Sequence, residues 1–397
     1  MDDFTTEEIW KDEDGAPRKR AEKRRVRRKI LLLALVLILV LGVVLVAAYR
    51  DGTGFDVLRR YLNYGRVETV GGEALYDYDA STNNRFAVLG DHLAVLSDSS
   101  LEILNKNGEE AWKAPVKMAS PALIYGGGRA AAYDVGGHNI YVLAEKGKTL
   151  ELETPAEEPI IAVTMNRQGW LAVTTEKKNR KGMVKVYDDK MEEVFDFNSS
   201  RRFVMDAYVT DDCKYLAAVT LGQEGGNFVS NVVLYDLGKE DPVADYSVVD
   251  GLVLEIGQQG GNLATVSDTC ITFAKTNGTV VGSYDYKNEY LRGYSLEADD
   301  FAPLLLNRYQ SGSVGRLVTV ADDGTEIAHL DINEEVQSLS ARGRYLAVLY
   351  LDSLVIYNRN LEVYASLQGT GDAKDVLVRA DGSALLLSPE EARIFLP

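Results

Sequence analysis

Few residues in this sequence combine the types and the spacing that catalysis or metal binding requires. Gly147-Lys148-Thr149 resembles the end of a phosphate-binding loop, but no glycine stands where such a loop needs its first one. The sequence contains no Gly-x-Ser-x-Gly elbow and therefore offers no hydrolase nucleophile of that kind. His92, His138 and His329 have no second histidine or cysteine at ligand spacing. We therefore predict no catalytic residue, no metal site and no cofactor.

Paired aspartates and two cysteines are the remaining groups that could carry chemistry. The pairs Asp211-Asp212, Asp299-Asp300 and Asp322-Asp323 lie between apolar runs, where aspartate favours turns. Turn formation is the prediction, and calcium binding is the alternative. Cys213 and Cys270 fall at different positions of successive repeats, so we expect no disulfide between them.

Three long loops stand out as candidate binding elements. They follow small apolar strands at residues 176–182, 222–228 and 307–313, and the first is basic in an otherwise acidic body. Long loops on a rigid scaffold are where binding usually resides. The predicted binding residues are Lys177, Lys178, Arg180, Lys181, Gln223, Phe228, Arg308 and Tyr309. Hairpin extensions without a function are the alternative.

The elements that carry these loops repeat along the chain. From about residue 70 the apolar residues alternate with polar ones, and Gly, Asn and Asp separate the runs, as in all-β proteins. Eight runs of the Leu-Ala-Val type recur 37 to 47 residues apart, the period of a four-stranded propeller blade. They begin at Leu93, Ala130, Leu171, Leu216, Leu263, Phe301, Leu346 and Ala384.

The two ends of the repeat array indicate how the ring closes. The eighth unit stops after its third strand, Arg393–Leu396, while Glu73–Tyr78 resembles the fourth strand of other units. Pairing these segments would remove an exposed sheet edge. We therefore predict an all-β, eight-bladed β-propeller. Seven blades are the alternative, because Pro303 would interrupt a ladder in the sixth unit.

An apolar segment precedes the repeats. Ile30 to Ala48 is 19 residues without a charged or polar side chain, long enough as a helix to cross the hydrocarbon core. Nine Lys and Arg residues between positions 18 and 29 favour a cytoplasmic N-terminus. A cleaved signal peptide is the alternative, although 19 residues exceed the usual signal core.

These features predict four parts: a charged cytoplasmic tail at residues 1–29, a transmembrane helix at 30–49, a juxtamembrane linker with a short helix at 50–69, and an extracytoplasmic propeller at 70–397. Residues 50–397 carry 33 basic and 52 acidic side chains. So acidic a body would repel phosphates, so nucleic acid is not an expected partner.

The whole layout resembles the single-pass, membrane-anchored β-propellers of Gram-positive bacteria that are grouped as a family of unknown function. The basic leader, the segment Ile30–Ala48 and the repeats from Leu93 onward carry this resemblance. The quinoprotein-type and WD-type propellers are more distantly similar. The family implies a membrane-anchored propeller and supplies no catalytic residues to transfer.

We expect a non-catalytic binding or scaffold module in the cell envelope, with an envelope protein or an anionic cell-wall polymer as partner. The alternative is a propeller enzyme, either one that acts on envelope polysaccharide or a quinone-dependent oxidoreductase. A glycosidase needs two carboxylates that converge at the axis. A quinone enzyme needs a stacking tryptophan, and the body offers only Trp112 and Trp170.

Overall fold

The computed structural model describes residues 28–44, 54–64, 76–81, 83–248 and 251–397. Two helices come first: α1 spans residues 28–44 and α2 spans Gly54–Tyr64. The chain divides into two units, Met1–Arg66 with the helices and Val67–Pro397 with the strands. The short helix expected in the linker is confirmed as α2.

Helix α1 contains most of the predicted membrane-spanning segment, and residues 45–49 lie outside the described part. Its apolar side chains are largely exposed, Leu33 to 72%. Within the described residues, no helix has both the length and the apolar content needed to cross a membrane. The anchor at residues 30–49 and the tail at residues 1–29, of which residues 1–27 lie outside the described part, therefore stay predictions.

The strands form eight antiparallel, four-stranded sheets. Blades 1 to 4 contain, in order from the first strand of each, β2 Arg85–Leu89, β3 His92–Leu96, β4 Ser100–Leu104 and β5 Glu110–Pro115; β6 Pro121–Gly126, β7 Arg129–Asp134, β8 Asn139–Ala144 and β9 Gly147–Glu153; β10 Ile160–Met165, β11 Leu171–Thr175, β12 Met183–Tyr187 and β13 Glu193–Asn198; β14 Phe203–Val209, β15 Tyr215–Glu224, β16 Asn227–Asp236 and β17 Pro242–Val248.

Blades 5 to 7 continue in the same way, and blade 8 takes its fourth strand from the start of the propeller. Their strands are β18 Val253–Gln259, β19 Asn262–Ser267, β20 Cys270–Ala274 and β21 Val280–Asp285; β22 Tyr290–Tyr294, β23 Ala302–Asn307, β24 Gly315–Val320 and β25 Glu326–Ile332; β26 Val336–Arg342, β27 Tyr345–Tyr350, β28 Ser353–Tyr357 and β29 Val363–Gln368; β30 Asp375–Val378, β31 Ala384–Leu387, β32 Glu391–Phe395 and β1 Tyr76–Asp77.

The core lies between neighbouring blades. The second strands, which carry the Leu-Ala-Val runs, are almost completely buried, whereas fourth strands such as β13 alternate between exposed and partly buried positions. Buried alanines such as Ala264 and Ala302 help to pack blade 5 against blade 6, alongside Phe273 and Leu304. The repeated Leu-Ala-Val runs therefore mark buried strands, because each blade packs against the next.

The predicted ring closure is confirmed, with a small shift of register. Tyr76 pairs with Ala392 and Asp77 with Glu391, so β1 meets the first residues of the last strand. The Tyr78 hydroxyl donates to the backbone oxygens of Ser388 and Glu391, at 2.7 and 2.6 Å. Residues 73–75 of the predicted strand lie outside the described part. Eight sheets, one closed by both ends of the propeller, exclude the seven-blade alternative.

Pro303 does not interrupt the sixth blade. It lies in β23 opposite Thr319 of β24. Its carbonyl accepts from the backbone N–H of Ser295, so its nitrogen faces the side of β22. The pairing of the named strands ends at Tyr294 opposite Leu304, so the hydrogen that proline lacks is missing at the end of the ladder and not within it.

The predicted hairpin turns lie between third and fourth strands, and glycine alone takes the positive φ in them. At Asp323-Gly324 the glycine has φ +83°, and a Cβ there would lie 2.6 Å from the backbone nitrogen of Ser283 in the preceding blade. Gly324 thus serves both the turn and the close approach of two blades.

Two faces of the propeller follow from the strand order. The face with the turns between second and third strands is called the loop face, and the start of each first strand lies on it too. The other face carries the turns between first and second strands. First strands of neighbouring blades contact one another around the axis.

Candidate functional site

The predicted cations lie on the loop face between β11 and β12, and three of the four have partners. The Lys177 ammonium lies 3.0 Å from a carboxylate oxygen of Glu158, and Lys178 lies 3.4 Å from Glu157. The Lys181 ammonium lies 4.1 Å from the centre of the Phe203 ring. The ion pairs neutralise part of the basic character that the sequence indicated.

Arg180 is exposed, and its side chain forms no ion pair or hydrogen bond with the described residues. Its backbone N–H donates to the carbonyl of Lys177 in a turn. The guanidinium is therefore free to meet a partner.

Gln223 and Phe228 face each other on a long hairpin formed by β15 and β16. The hairpin turns at Gly225-Gly226, and both glycines have positive φ. Gln223 donates to the carbonyl of Gly226, while Phe228 is 77% exposed. The predicted loop is thus a protruding ribbon with an aromatic side chain near its tip.

The basic loop of blade 3 contacts blade 4 at the start of β14. The backbone N–H of Val204 donates to the carbonyl of Lys181 at 2.9 Å. Arg202 then forms an ion pair with Glu224 and reaches the carbonyl of Val229 on the hairpin. The structure therefore joins the two predicted elements indirectly, through residues that the sequence did not single out.

Arg308 and Tyr309 lie in the loop between β23 and β24 on the same face. The loop is pinned by a hydrogen bond from the backbone N–H of Arg308 to the carbonyl of Val314. Tyr309 is 61% exposed. All eight predicted binding residues consequently lie on the loop face.

The sequence analysis singled out Phe228 and Tyr309 but missed the other apolar residues that accompany them. Exposed apolar side chains on the loop face of blades 4 to 6 form what we call the loop-face patch: Phe203, Met205, Phe228, Leu252, Leu254, Tyr290, Tyr309 and Val314. Five of them belong to, or directly precede, first strands. In a sequence, alternating apolar residues at the start of a strand predict burial in the core. Their exposure is therefore visible only in the folded ring.

A groove beside the patch separates blades 5 and 6. Leu254 and Tyr290 line it, and its volume is about 760 Å³. Tyr286 also lines it, is fully buried, and its hydroxyl has no hydrogen-bond partner within the described residues. A buried hydroxyl without a partner is unusual, because burial without a hydrogen bond costs free energy.

A second cavity of about 740 Å³ lies on the axis. Asp206 of β14 and Glu255 of β18 are on its wall, and the segment after β22 contributes Glu297. Neither body tryptophan lines this cavity, which removes the stacking residue that a quinone enzyme would need there.

The segment between β22 and β23 crosses the axis on the face opposite the loop face. Arg167 of blade 3 donates to the carbonyl of Ala298 at 3.0 Å and lies 3.7 Å from both Asp211 and Asp299. The Asp299 N–H bonds to the carbonyl of Gly343 at 2.8 Å. Contacts between blades 3, 4, 6 and 7 thus close this end of the axis.

Tyr125 adds a contact between opposite blades. Its hydroxyl hydrogen-bonds to Glu297 of blade 6. The guanidinium of Arg342 lies 4.6 Å from the centre of its ring. Burial raises the pKa of Glu297, and the two arginines nearby, Arg342 and Arg167, oppose that rise.

The deeper carboxylates have strongly shifted pKa values. Burial raises the pKa of Asp206 to about 7; a hydrogen bond from the Ala207 N–H opposes the rise and the charge of Glu255 adds to it. Burial also raises the pKa of Glu255 to about 7, against a hydrogen bond from Tyr294. A glycosidase separates its two carboxyl groups into an acid and a base. These two share one environment, so the geometry does not assign them such roles.

The remaining candidates from the sequence have mostly structural partners. Asp323 and Asp212 accept backbone N–H groups in turns, as predicted. Both cysteines are free thiols.

One cluster departs from the sequence-based expectation. In the described part of the chain, Asp91, His92 and Glu145 bring potential metal-ligating atoms within 4.8 Å of one another. The spacing rule could not find it, because Glu145 belongs to the next blade.

The sequence of the chain, together with this architecture, shows the family to which it belongs. It belongs to the DUF5711 family. The family model, described as a family of unknown function, matches residues 61–387, which cover nearly the whole propeller. No curated protein matches the chain by sequence.

Two solved structures show the same fold as this DUF5711 member. BamB from Moraxella catarrhalis is 12% identical, with a TM-score of 0.50 over 81% of this chain and 98% of BamB. A eukaryotic initiation factor is 10% identical, with a TM-score of 0.52 over 81% of this chain and 88% of the factor. Identities this low support the propeller fold alone.

Proposed function

We propose that this chain is a non-catalytic binding module that holds a protein partner on its loop face. The observation that carries the proposal is the loop-face patch, in which Phe228 is 77% and Tyr309 61% exposed. Soluble proteins rarely expose contiguous apolar surface unless it binds something. Aromatic side chains are also the usual anchors of protein interfaces.

Charge indicates the kind of partner. Exposed cations flank the patch, including Arg180, Arg292 and Arg308, although the body as a whole is strongly acidic. A local cationic rim accelerates association with an acidic segment and sets its orientation. The groove beside Tyr290, with the unpartnered hydroxyl of Tyr286, offers a pocket for an apolar anchor that carries a polar group. We therefore infer an acidic protein segment with apolar side chains.

Photo-crosslinking tests this surface in cells. A photoreactive amino acid replaces Phe228 or Tyr309 of the full chain, and matched controls carry it at Val194 or Val363, which are exposed on outer strands. We expect discrete crosslinked proteins from the first two positions only. Equal crosslinking at all four positions, or none at any, would overturn the proposal. A crosslinked product that a cell-wall hydrolase degrades and a protease does not would identify the partner as a wall polymer instead of a protein.

We further propose that residues 30–49 anchor the module in the cell membrane, with the N-terminus in the cytoplasm and the propeller in the envelope, as in the Gram-positive proteins that the chain resembles. The exposed apolar side chains of α1 and the nine cations at positions 18–29 support this arrangement. Protease added to intact protoplasts should digest the propeller. Complete protection of the propeller would refute the topology.

A further inference from the structure

The axial cavity has the size and the lining of a binding site. Its volume of about 740 Å³ is within the range of small-molecule sites, and its wall combines apolar groups with a few converging polar ones. Contacts of the Ala298 segment close one end. Leu254 lines both this cavity and the groove between blades 5 and 6.

The charges in the cavity are not balanced. Its lining contains four carboxylates and two guanidinium groups. Arg167 lies against Asp299 and Asp211, and Arg342 lies beside Glu297. Asp206 and Glu255 have no cationic partner within the described residues; what faces them is Tyr294 from β22 and Tyr133 from β7. An isolated buried carboxylate is unfavourable unless a positive group pairs with it.

The aromatic neighbours suit an organic cation better than a metal ion. Phenol rings attract cations through their faces, and Tyr133 and Tyr208 both line the cavity. Sets of three or more residues whose potential metal-ligating atoms all lie within 4.8 Å of one another occur, among the described residues, only at Asp91, His92 and Glu145. Asp206 and Glu255 therefore belong to no compact set of metal ligands. We propose that the axial cavity binds a small organic cation whose ammonium groups pair with Asp206 and Glu255.

Binding of this kind is linked to protonation. The groups that face the two carboxylates are each other, Glu297, Tyr294 and Tyr133, all of them acids. Since the pKa of each carboxyl is raised to about 7, both are mostly protonated at pH 6 and mostly ionised at pH 8. An ammonium group binds the ionised form, so affinity rises with pH across this window.

Isothermal titration of the full chain in nonionic detergent tests the proposal, with 1,4-diaminobutane as the probe. We expect affinity to be about tenfold or more weaker at pH 6 than at pH 8, because the ionised fraction of each carboxyl falls about tenfold. Butane-1,4-diol, which has the same length without charge, should not bind. Asp206→Asn and Glu255→Gln should each weaken diamine binding by tenfold or more, while Glu240→Gln, at an exposed turn, should leave it unchanged.

The outcomes separate the alternatives. Absence of diamine binding at pH 8, or equal binding of the diol, would overturn the proposal. If calcium ions displace the diamine stoichiometrically and bind more tightly, the cavity is a metal site and the proposal of an organic cation is wrong. Unchanged affinity in both carboxamide variants, with unfolding temperatures at or above that of the wild type, would place the diamine elsewhere. Crosslinking at Phe228 reports on the loop face and does not depend on any of these results.

Discussion

Neutralising Asp206 should stabilise the propeller, and by an amount that depends on pH. The carboxyl has a pKa of about 7 in the folded chain against an ordinary value of 3.8. Between about pH 4 and pH 7 the folded state therefore keeps a proton that the unfolded chain has released. Within this window the unfolded state binds fewer protons than the folded state, so stability falls as pH rises. Above the window both states have released the proton, and stability stays level.

The magnitude follows from the same difference. A rise of the Asp206 pKa from 3.8 to about 7 corresponds to a free energy of about 4 kcal/mol, at about 1.4 kcal/mol per pH unit. Because the side chain is partly accessible to solvent in the cavity, we expect Asp206→Asn to gain about half of this, about 2 kcal/mol, at pH 8. The asparagine keeps an oxygen that can accept from the Ala207 N–H. For a domain of this size the gain is about 4 °C in unfolding temperature.

Thermal unfolding of the full chain at pH 5, 6, 7 and 8, followed by tryptophan fluorescence, measures this effect. The advantage of Asp206→Asn over the wild type should be smallest at pH 5 and grow to pH 8, whereas the exposed control Asp241→Asn should show no such trend. Glu255→Gln should behave similarly, and the double variant should gain less than the sum because each charge raises the other's free energy. An equal difference at every pH, or a loss of stability at pH 8, would refute the reasoning.

Three further predictions concern the ring and its loop face. Tyr78→Phe removes two hydrogen bonds that hold the closing strand and should lower stability by about 1–2 kcal/mol in urea unfolding, whereas Tyr290→Phe at an exposed site should not change it. Gly324→Ala should cost about 2–3 kcal/mol because of its φ and the neighbouring backbone, and Gly225→Ala, with positive φ but open space, about 1 kcal/mol; equal losses would contradict the close-approach argument. Changing Lys177, Lys178, Arg180 and Lys181 to Ser should reduce partner recovery at low salt and flatten its salt dependence; unchanged recovery would show that these cations do not contribute.

The blade count and the ring closure were predictable because they depend on local patterns. Runs such as Leu171 to Val173 mark buried second strands, and burial of one strand per blade recurs at the blade period. The closing strand was predictable from the edge that an unpaired β32 would expose. Its register differed slightly, since nothing in the sequence determines whether Tyr76 faces Ala392 or a later residue.

The axial carboxylates were not predictable for a related reason. Asp206 and Glu255 are 49 positions apart in the chain, on separate first strands, and each reads as an ordinary polar position between apolar ones. Their proximity arises only when the ring brings neighbouring first strands together. The same holds for Phe203, whose place at a strand start gives no sign that it lies under Lys181 on an exposed face.

The stability prediction and the binding proposal test one another. A structural carboxylate stabilises the fold through its partners, so its carboxamide variant should lose stability. Asp206 and Glu255 have no cation to pair with among the described residues, and their ionised forms destabilise the folded ring. Groups of this kind, in a cavity, are characteristic of sites where stability is given up for a ligand. Variants that are more stable at pH 8 and no longer bind the diamine would therefore assign the two carboxylates to binding, whereas loss of stability would assign them to the architecture of the propeller.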